Sequence, residues 1–176
     1  LGHLTRSMAI ARRLGPGSDP LFLTLSGAAP VVDRMGFPVE YVASYSTPGS
    51  GNDYRWSRRL RARLRAAIAE AGPDVVVFDS SGRVAQYRRA KELGARVVFV
   101  SSRATTRRKG FRLRRMRRMD QHWIAQPRIL GGDLGAWERL RLRLVPGCGV
   151  EFLEVLHDPV DESGTRALQQ RLGVES

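Results

Sequence analysis

Apolar positions along the chain follow two alternating rhythms. Short runs of β-branched and aromatic residues at Leu21 to Leu25, Pro38 to Val42, Val75 to Phe78, Val97 to Val100 and His122 to Ala125 predict strands. Between them apolar residues recur at helical spacing: Leu4, Met8 and Ala11, then Trp56, Leu60, Leu64, Ala67, Ile68 and Ala71, with arginines on the opposite face. Further helices are predicted over residues 28–35, 83–93, 107–119 and 163–172. The runs Val75 to Phe78 and Val97 to Val100 are apolar on both faces, as central parallel strands covered by helices on each side must be. Helices stop at Gly36, Gly72-Pro73, Gly94 and Gly173, where the chain turns back toward a sheet. The alternation makes the fold class α/β, a Rossmann-like parallel sheet with helices on both faces. It lapses between Pro127 and Pro159, where an irregular exit from the sheet is expected. Ser44 to Asp53, with Pro48, Gly49, Gly51 and Asn52, is the longest loop inside the periodic part and a natural place for ligand contacts.

At 176 residues and 42% hydrophobic content, the chain suffices for one well-buried core and excludes wholesale disorder. Its net charge of +13 is almost all guanidinium, since Lys91 and Lys109 are the only lysines. Nucleic acid, phosphate-bearing ligands and anionic lipid all enter as partners, while a GC-rich genome explains the same arginine bias equally well. The segment from Arg107 to Arg118 interleaves cations with Phe111, Leu113 and Met116. As a helix it either dips these apolar side chains into an anionic membrane surface or presents a solvated face over a core stripe. Aromatic content is 7% and no base-reading motif accompanies the arginines, so a nucleic-acid-binding module ranks last. The single cysteine, Cys148, sits in the turn Pro146-Gly147-Cys148-Gly149 and fits a reducing, cytoplasmic setting. No apolar run nears the roughly 18 residues a membrane span needs, so any membrane contact is expected to be peripheral. His122 and His157 share no metal-ligand spacing with Cys148, and no metal or cofactor is expected.

The start of the chain supplies the chemistry. Leu1-Gly2-His3 runs directly into a helical pattern, placing a glycine turn and a histidine at a helix N-terminus. Free N–H groups and the helix dipole favour anions there and oppose protonation of an imidazole, leaving His3 able to accept a proton. No methionine precedes Leu1, and the expectation is a chain cut just after its first strand. Asp79 closes the strongest strand, in Val75-Val76-Val77-Phe78-Asp79-Ser80-Ser81-Gly82. In a sheet ordered 3-2-1-4-5 the first and fourth strands are neighbours at the switch point, so His3 and Asp79 are expected to face each other across the crevice. A carboxylate that fixes the tautomer of an imidazole makes a general-base dyad. Asp79 also suits the N-cap of the following helix, and the two roles are compatible.

The opening Leu1-Gly2-His3-Leu4-Thr5-Arg6-Ser7-Met8-Ala9-Ile10-Ala11 resembles the GHxxR-type start of GT-B glycosyltransferases. The strand ending in Asp79, and the stretch from Gly149-Val150-Glu151-Phe152 through His157-Asp158-Pro159 to Leu172-Gly173, resemble that superfamily's acceptor domain and interdomain linker. The nearest kinds are the family 28 enzymes, including the one that adds N-acetylglucosamine to lipid-linked peptidoglycan precursor, and natural-product glycosyltransferases. The UDP-sugar hydrolases of nonulosonic acid synthesis share the opening and an aspartate followed by a tyrosine-containing helix, here Asp79 to Tyr87. The resemblance implies a Rossmann-like acceptor domain over 1–145 lacking its first strand, and a linker over 146–176 leading to an absent sugar-nucleotide domain. It implies His3 as base and Asp79 as its orienting carboxylate in an inverting transfer from a nucleotide-sugar to a hydroxyl, with water as acceptor in the hydrolase version. The acceptor, lipid-linked in some of these enzymes, is expected to meet the loops carrying Gly2, Thr5, Arg6, Ser80, Ser81, Ser102 and Arg103.

Overall fold

The computed structural model describes residues 2–42, 54–126 and 132–153. The expected loop Ser44 to Asp53, the expected helix over 163–172 and His157 lie outside the described residues. Helix α1 (Gly2–Ala11) leads to β1 (Phe22–Thr24), α2 (Ala29–Arg34), β2 (Val39–Tyr41) and α3 (Tyr54–Ala71). Then follow β3 (Val75–Asp79), α4 (Val84–Glu92), β4 (Arg96–Ser101), α5 (Ala104–Gly110), α6 (Leu113–Met116), β5 (Gln121–Ile124), α7 (Ala136–Leu144) and β6 (Gly149–Phe152). The protein is α/β and Rossmann-like: a four-stranded parallel sheet ordered β3-β4-β5-β6 and a parallel pair β1-β2, flanked by helices. No ladder joins the two sheets among the described residues. Within each sheet the strands lie side by side in chain order.

The apolar-on-both-faces reading matches β4, whose burial is complete or nearly so from Val97 through Ser101, but not β3: it lies at the edge of the four-stranded sheet, and Val75 and Val77 are 48% and 42% exposed. On one face of the sheet Phe78, Tyr87, Phe99, Phe111, Met116 and Ile124 form the core. Their rings pack tilted against one another, Phe78 on Tyr87 at 4.4 Å and Phe111 on the imidazole of His122 at 4.8 Å. β3 pairs with β4 so that Phe78 lies opposite Phe99 and Asp79 opposite Val100. The ladder closes with the Ser80 N–H donating to the Val100 carbonyl at 2.8 Å. This register brings Asp79-Ser80-Ser81 and Ser101-Ser102-Arg103 to the same carboxyl rim of the sheet.

Two expectations are corrected. The single helix expected over 107–119 is two short ones, because at Gly110 the α5 backbone lies directly on the His122 imidazole. A Cβ at that position would overlap the ring, so the helix ends on a glycine that allows the approach and the chain restarts at Leu113. The irregular exit expected from Pro127 onward instead contains α7 and the edge strand β6, which pairs Val150 with His122 and Phe152 with Ile124. The sheet therefore runs past the boundary placed at 145, into the stretch read as linker. β6 escaped the strand pattern because Val150 and Phe152 are its only large apolar residues, between a glycine turn and Leu153.

Candidate functional site

His3, Arg6 and Ser7 stand at positions i, i+3 and i+4 of α1 and so share one face of the helix. All three meet Asp79 at the end of β3. Arg6 grips the carboxylate with two N–H groups, Nη2 to Oδ1 at 2.5 Å and Nε to Oδ2 at 3.2 Å. His3 Nδ1 lies 3.2 Å from Oδ1, the Ser7 hydroxyl donates to Oδ2 at 3.4 Å, and the Ser80 hydroxyl donates to Oδ1 at 3.0 Å. Four side chains thus converge on one carboxylate whose own exposure is 12%. Ser80 reaches it from a left-handed backbone conformation, φ 57°, unusual for a residue with a Cβ. Such local strain is held by its surroundings, here the ladder bond to Val100 and the bond to Asp79.

His3 and Asp79, separated by 76 positions, are therefore brought together at the carboxyl rim. The capping role considered for Asp79 is not what its bonds display: among the described residues its partners are α1 side chains and Ser80, while Arg83 occupies the N-cap position of α4. Arg6, expected among acceptor contacts, is spent on Asp79 with only 13% of its side chain exposed. Gly2 and Thr5 are exposed in the first turn of α1, Ser81 follows Ser80 on the rim, and Ser102 and Arg103 sit at the end of β4, Arg103 as the N-cap of α5. Ser7 was missed, although its spacing four residues after His3 on a helix was the available signal.

The imidazole has two neighbours competing for one nitrogen. Nδ1 lies 3.2 Å from Asp79 Oδ1 and 3.0 Å from Arg6 Nη2, and it cannot donate to the first while accepting from the second. With its proton on Nδ1, directed at Asp79, the ring presents an unprotonated Nε2. That nitrogen has no partner among the described residues, and the side chain is 56% exposed. The site can accordingly hold a base facing solvent, with its back nitrogen seated on an arginine-braced carboxylate.

The other titratable groups of the core belong to structure. His122 is fully buried, bonds Ser101 through Nε2 at 2.8 Å, and has no partner for Nδ1 among the described residues. Burial, together with Arg107 and Arg115, pulls its pKa down to about 4 against a weaker opposing pull from Glu138. Burial, then the charge of Asp120, pushes the Cys148 thiol up to about 11, which keeps it protonated and unreactive, as its turn context implied. Among the described residues no three His, Cys, Asp or Glu side chains gather as metal ligands would.

The basic segment also resolves into parts. Phe111 and Met116 are buried in the core, and Leu113 is partly buried against it, so none of the three is available to a membrane; the core-stripe alternative describes them. Arg107 is buried and pairs with Glu138 at 2.6 Å, and Arg115 lies over the rings of Tyr87 and Phe99. No helix among the described residues is long and apolar enough to cross a membrane. Comparison of the chain with protein families, with curated proteins and with solved structures finds no match.

Proposed function

We propose that the chain is the acceptor-side half of an inverting glycosyltransferase in which His3 is the general base and Asp79 its positioning residue. The observation that carries this reading is the 3.2 Å approach of His3 Nδ1 to Asp79 at the rim of a Rossmann-like sheet, with Nε2 turned away from that contact. The GHxxR-type opening, quoted above, supplies the reaction class. In the reaction an acceptor hydroxyl oxygen forms a bond to the anomeric carbon as the bond to the nucleoside diphosphate breaks. The hydroxyl proton passes to Nε2, the leaving diphosphate takes the electron pair, and the anomeric centre inverts. Asp79 stabilises the imidazolium so formed, and Arg6 and Ser7 fix the carboxylate's orientation, which keeps the imidazole from rotating away. Ser80, Ser81, Ser102 and Arg103, at the same carboxyl rim of the sheet, are the proposed acceptor contacts, with Gly2 and Thr5 at the helix start. A nucleotide-sugar hydrolase uses the same base on water, and the aspartate-to-tyrosine spacing from Asp79 to Tyr87 favours it specifically enough to be kept as the second reading.

The test is nucleoside diphosphate release from UDP-sugars by this chain expressed with its adjoining coding sequence, with and without hydroxyl acceptors. Acceptor-dependent release identifies a transferase, and release in water alone a hydrolase. In either case His3→Ala is expected to lower kcat by about 10²- to 10⁴-fold with little change in KM. Release that is unaltered by His3→Ala, or absent with every donor, overturns the proposal.

A further inference from the structure

The chain leaves β3 through a residue whose backbone suits glycine better than serine. Ser80 has φ 57°, and Gly82, two positions on, has φ 90°. Gly82 has a packing reason to be glycine, because a Cβ there would overlap the rings of Phe78 and Tyr87. Ser80 instead carries a Cβ in the left-handed region, at a cost that glycine would avoid. The turn itself does not draw on the Ser80 hydroxyl. It is anchored by the Ser80 N–H on the Val100 carbonyl at 2.8 Å, by the Tyr87 hydroxyl on the Ser81 carbonyl at 3.1 Å, and by Arg115 Nη2 on the Gly82 carbonyl at 3.0 Å. What the side chain adds is one bond, from its hydroxyl to Asp79 Oδ1 at 3.0 Å.

That bond differs from the others on Asp79 in where it comes from. Arg6, Ser7 and His3 all stand on α1, so their contacts tie the carboxylate to the helix that carries the base. Among the described residues, Ser80 is the donor to that carboxylate that belongs to the sheet. It selects Oδ1, the oxygen that His3 Nδ1 approaches at 3.2 Å. An aspartate carboxylate swings easily about its Cβ–Cγ bond, whose torsion is broad and roughly two-fold. Donors fixed on both the helix and the sheet hold it in one plane. We infer that Ser80 is a positioning residue for the base: its hydroxyl, aimed by a left-handed backbone, locks the Asp79 carboxylate to the sheet so that Oδ1 stays in line with His3 Nδ1. This accounts for a serine where the backbone alone would favour glycine. It deepens the proposed function and rests on His3 being the base. With its one proton committed to Asp79, the Ser80 hydroxyl meets a substrate only by accepting a hydrogen bond.

The experiment measures UDP release from UDP-glucose, UDP-galactose and UDP-N-acetylglucosamine by the chain expressed with its adjoining coding sequence. Ser80→Gly and Ser80→Ala are compared with the native protein, each with and without His3→Ala. Ser80→Gly is expected to lower kcat by about tenfold while KM stays within about twofold. Its thermal midpoint should not fall, because glycine relieves the backbone as it removes the hydroxyl. Ser80→Ala should lose the same kcat although it keeps the backbone cost. In the His3→Ala background both changes should lower kcat by less than about twofold, because the bond acts through the imidazole. A loss carried by KM would make the hydroxyl a substrate contact, and a loss paralleled by a lower midpoint in Ser80→Gly would make it structural; either overturns the inference. An equal loss with and without His3 does the same. Turnover that depends on His3 but is unchanged in Ser80→Gly removes this inference and leaves the proposed function standing. Absence of His3-dependent turnover with all three donors removes both.

Discussion

The carboxylate of Asp79 and the guanidinium of Arg6 are each nearly withdrawn from water, at 12% and 13% exposure, and each is the other's main compensation. Removing one partner of such a pair strands a buried charge, which is costlier than never having had the pair. Arg6→Met is therefore expected to destabilise the fold by about 3 kcal/mol, and Arg6→Met/Asp79→Leu by less than the sum of the two single changes. Urea denaturation of the cycle measures this, and additive costs would show that the two groups do not depend on each other. The same pair bears on the chemistry, because Arg6 Nη2 stands 3.0 Å from His3 Nδ1. GHxxR could be read from the sequence as a helix start with a histidine, and His3 and Asp79 could be assigned to one rim from strand order. The grip of Arg6 on Asp79 could not: an arginine in a helix looks the same whether it is solvated or folded onto a carboxylate 73 positions away.

Among the elements, the divided helix over 104–116 shows how one packing contact sets a boundary. Gly110 lies against the His122 ring, with no room for a methyl group. Gly110→Ala favours the helix locally but must displace the imidazole or the α5 backbone, and is expected to lower stability by about 1–3 kcal/mol. The thermal unfolding midpoint of this variant checks it; a gain in stability would mean that intrinsic helix propensity outweighs the contact. The elements that periodicity did reveal are those with strong local signals, β3 and β4 with their valine runs, and α3 with its buried Ala67 and Ile68. α7 and β6 were missed for opposite reasons. In α7 the apolar stripe is present but faces outward, so it is no guide to a core, and in β6 the apolar positions are too few to stand out from the glycine turn before them.

On the scale of the whole molecule, two titratable groups tie the fold to pH, the buried His122 and the half-buried Asp120. An unfolded His122 takes up a proton near its ordinary pKa of 6.5, but the folded one only near 4, so the unfolded state binds more protons between these values. Stability is thus full above that upper limit and falls as pH drops through the interval, by about 3 kcal/mol in all. At Asp120 burial acts against the charge, but the Lys91 ammonium and the Val97 N–H outweigh it and hold the carboxyl below its ordinary range. Its contribution is lost only at lower pH still. Urea midpoints across this range should fall more steeply for the native chain than for His122→Gln; parallel curves would remove His122 as the cause. What the amino-acid order alone determined here is the α/β alternation, the doubly buried strand β4 and the placing of a histidine and an aspartate at strand and helix ends, because periodicity and glycine stops act over a few residues. The tertiary structure alone decided which arginines are buried partners and which remain at the surface, that the His122 ring sits under Gly110, and that α7 turns its tryptophan and leucines to solvent. Those outcomes depend on contacts between elements distant in the chain, where charge, size and shape must fit together at once and no local pattern records the result.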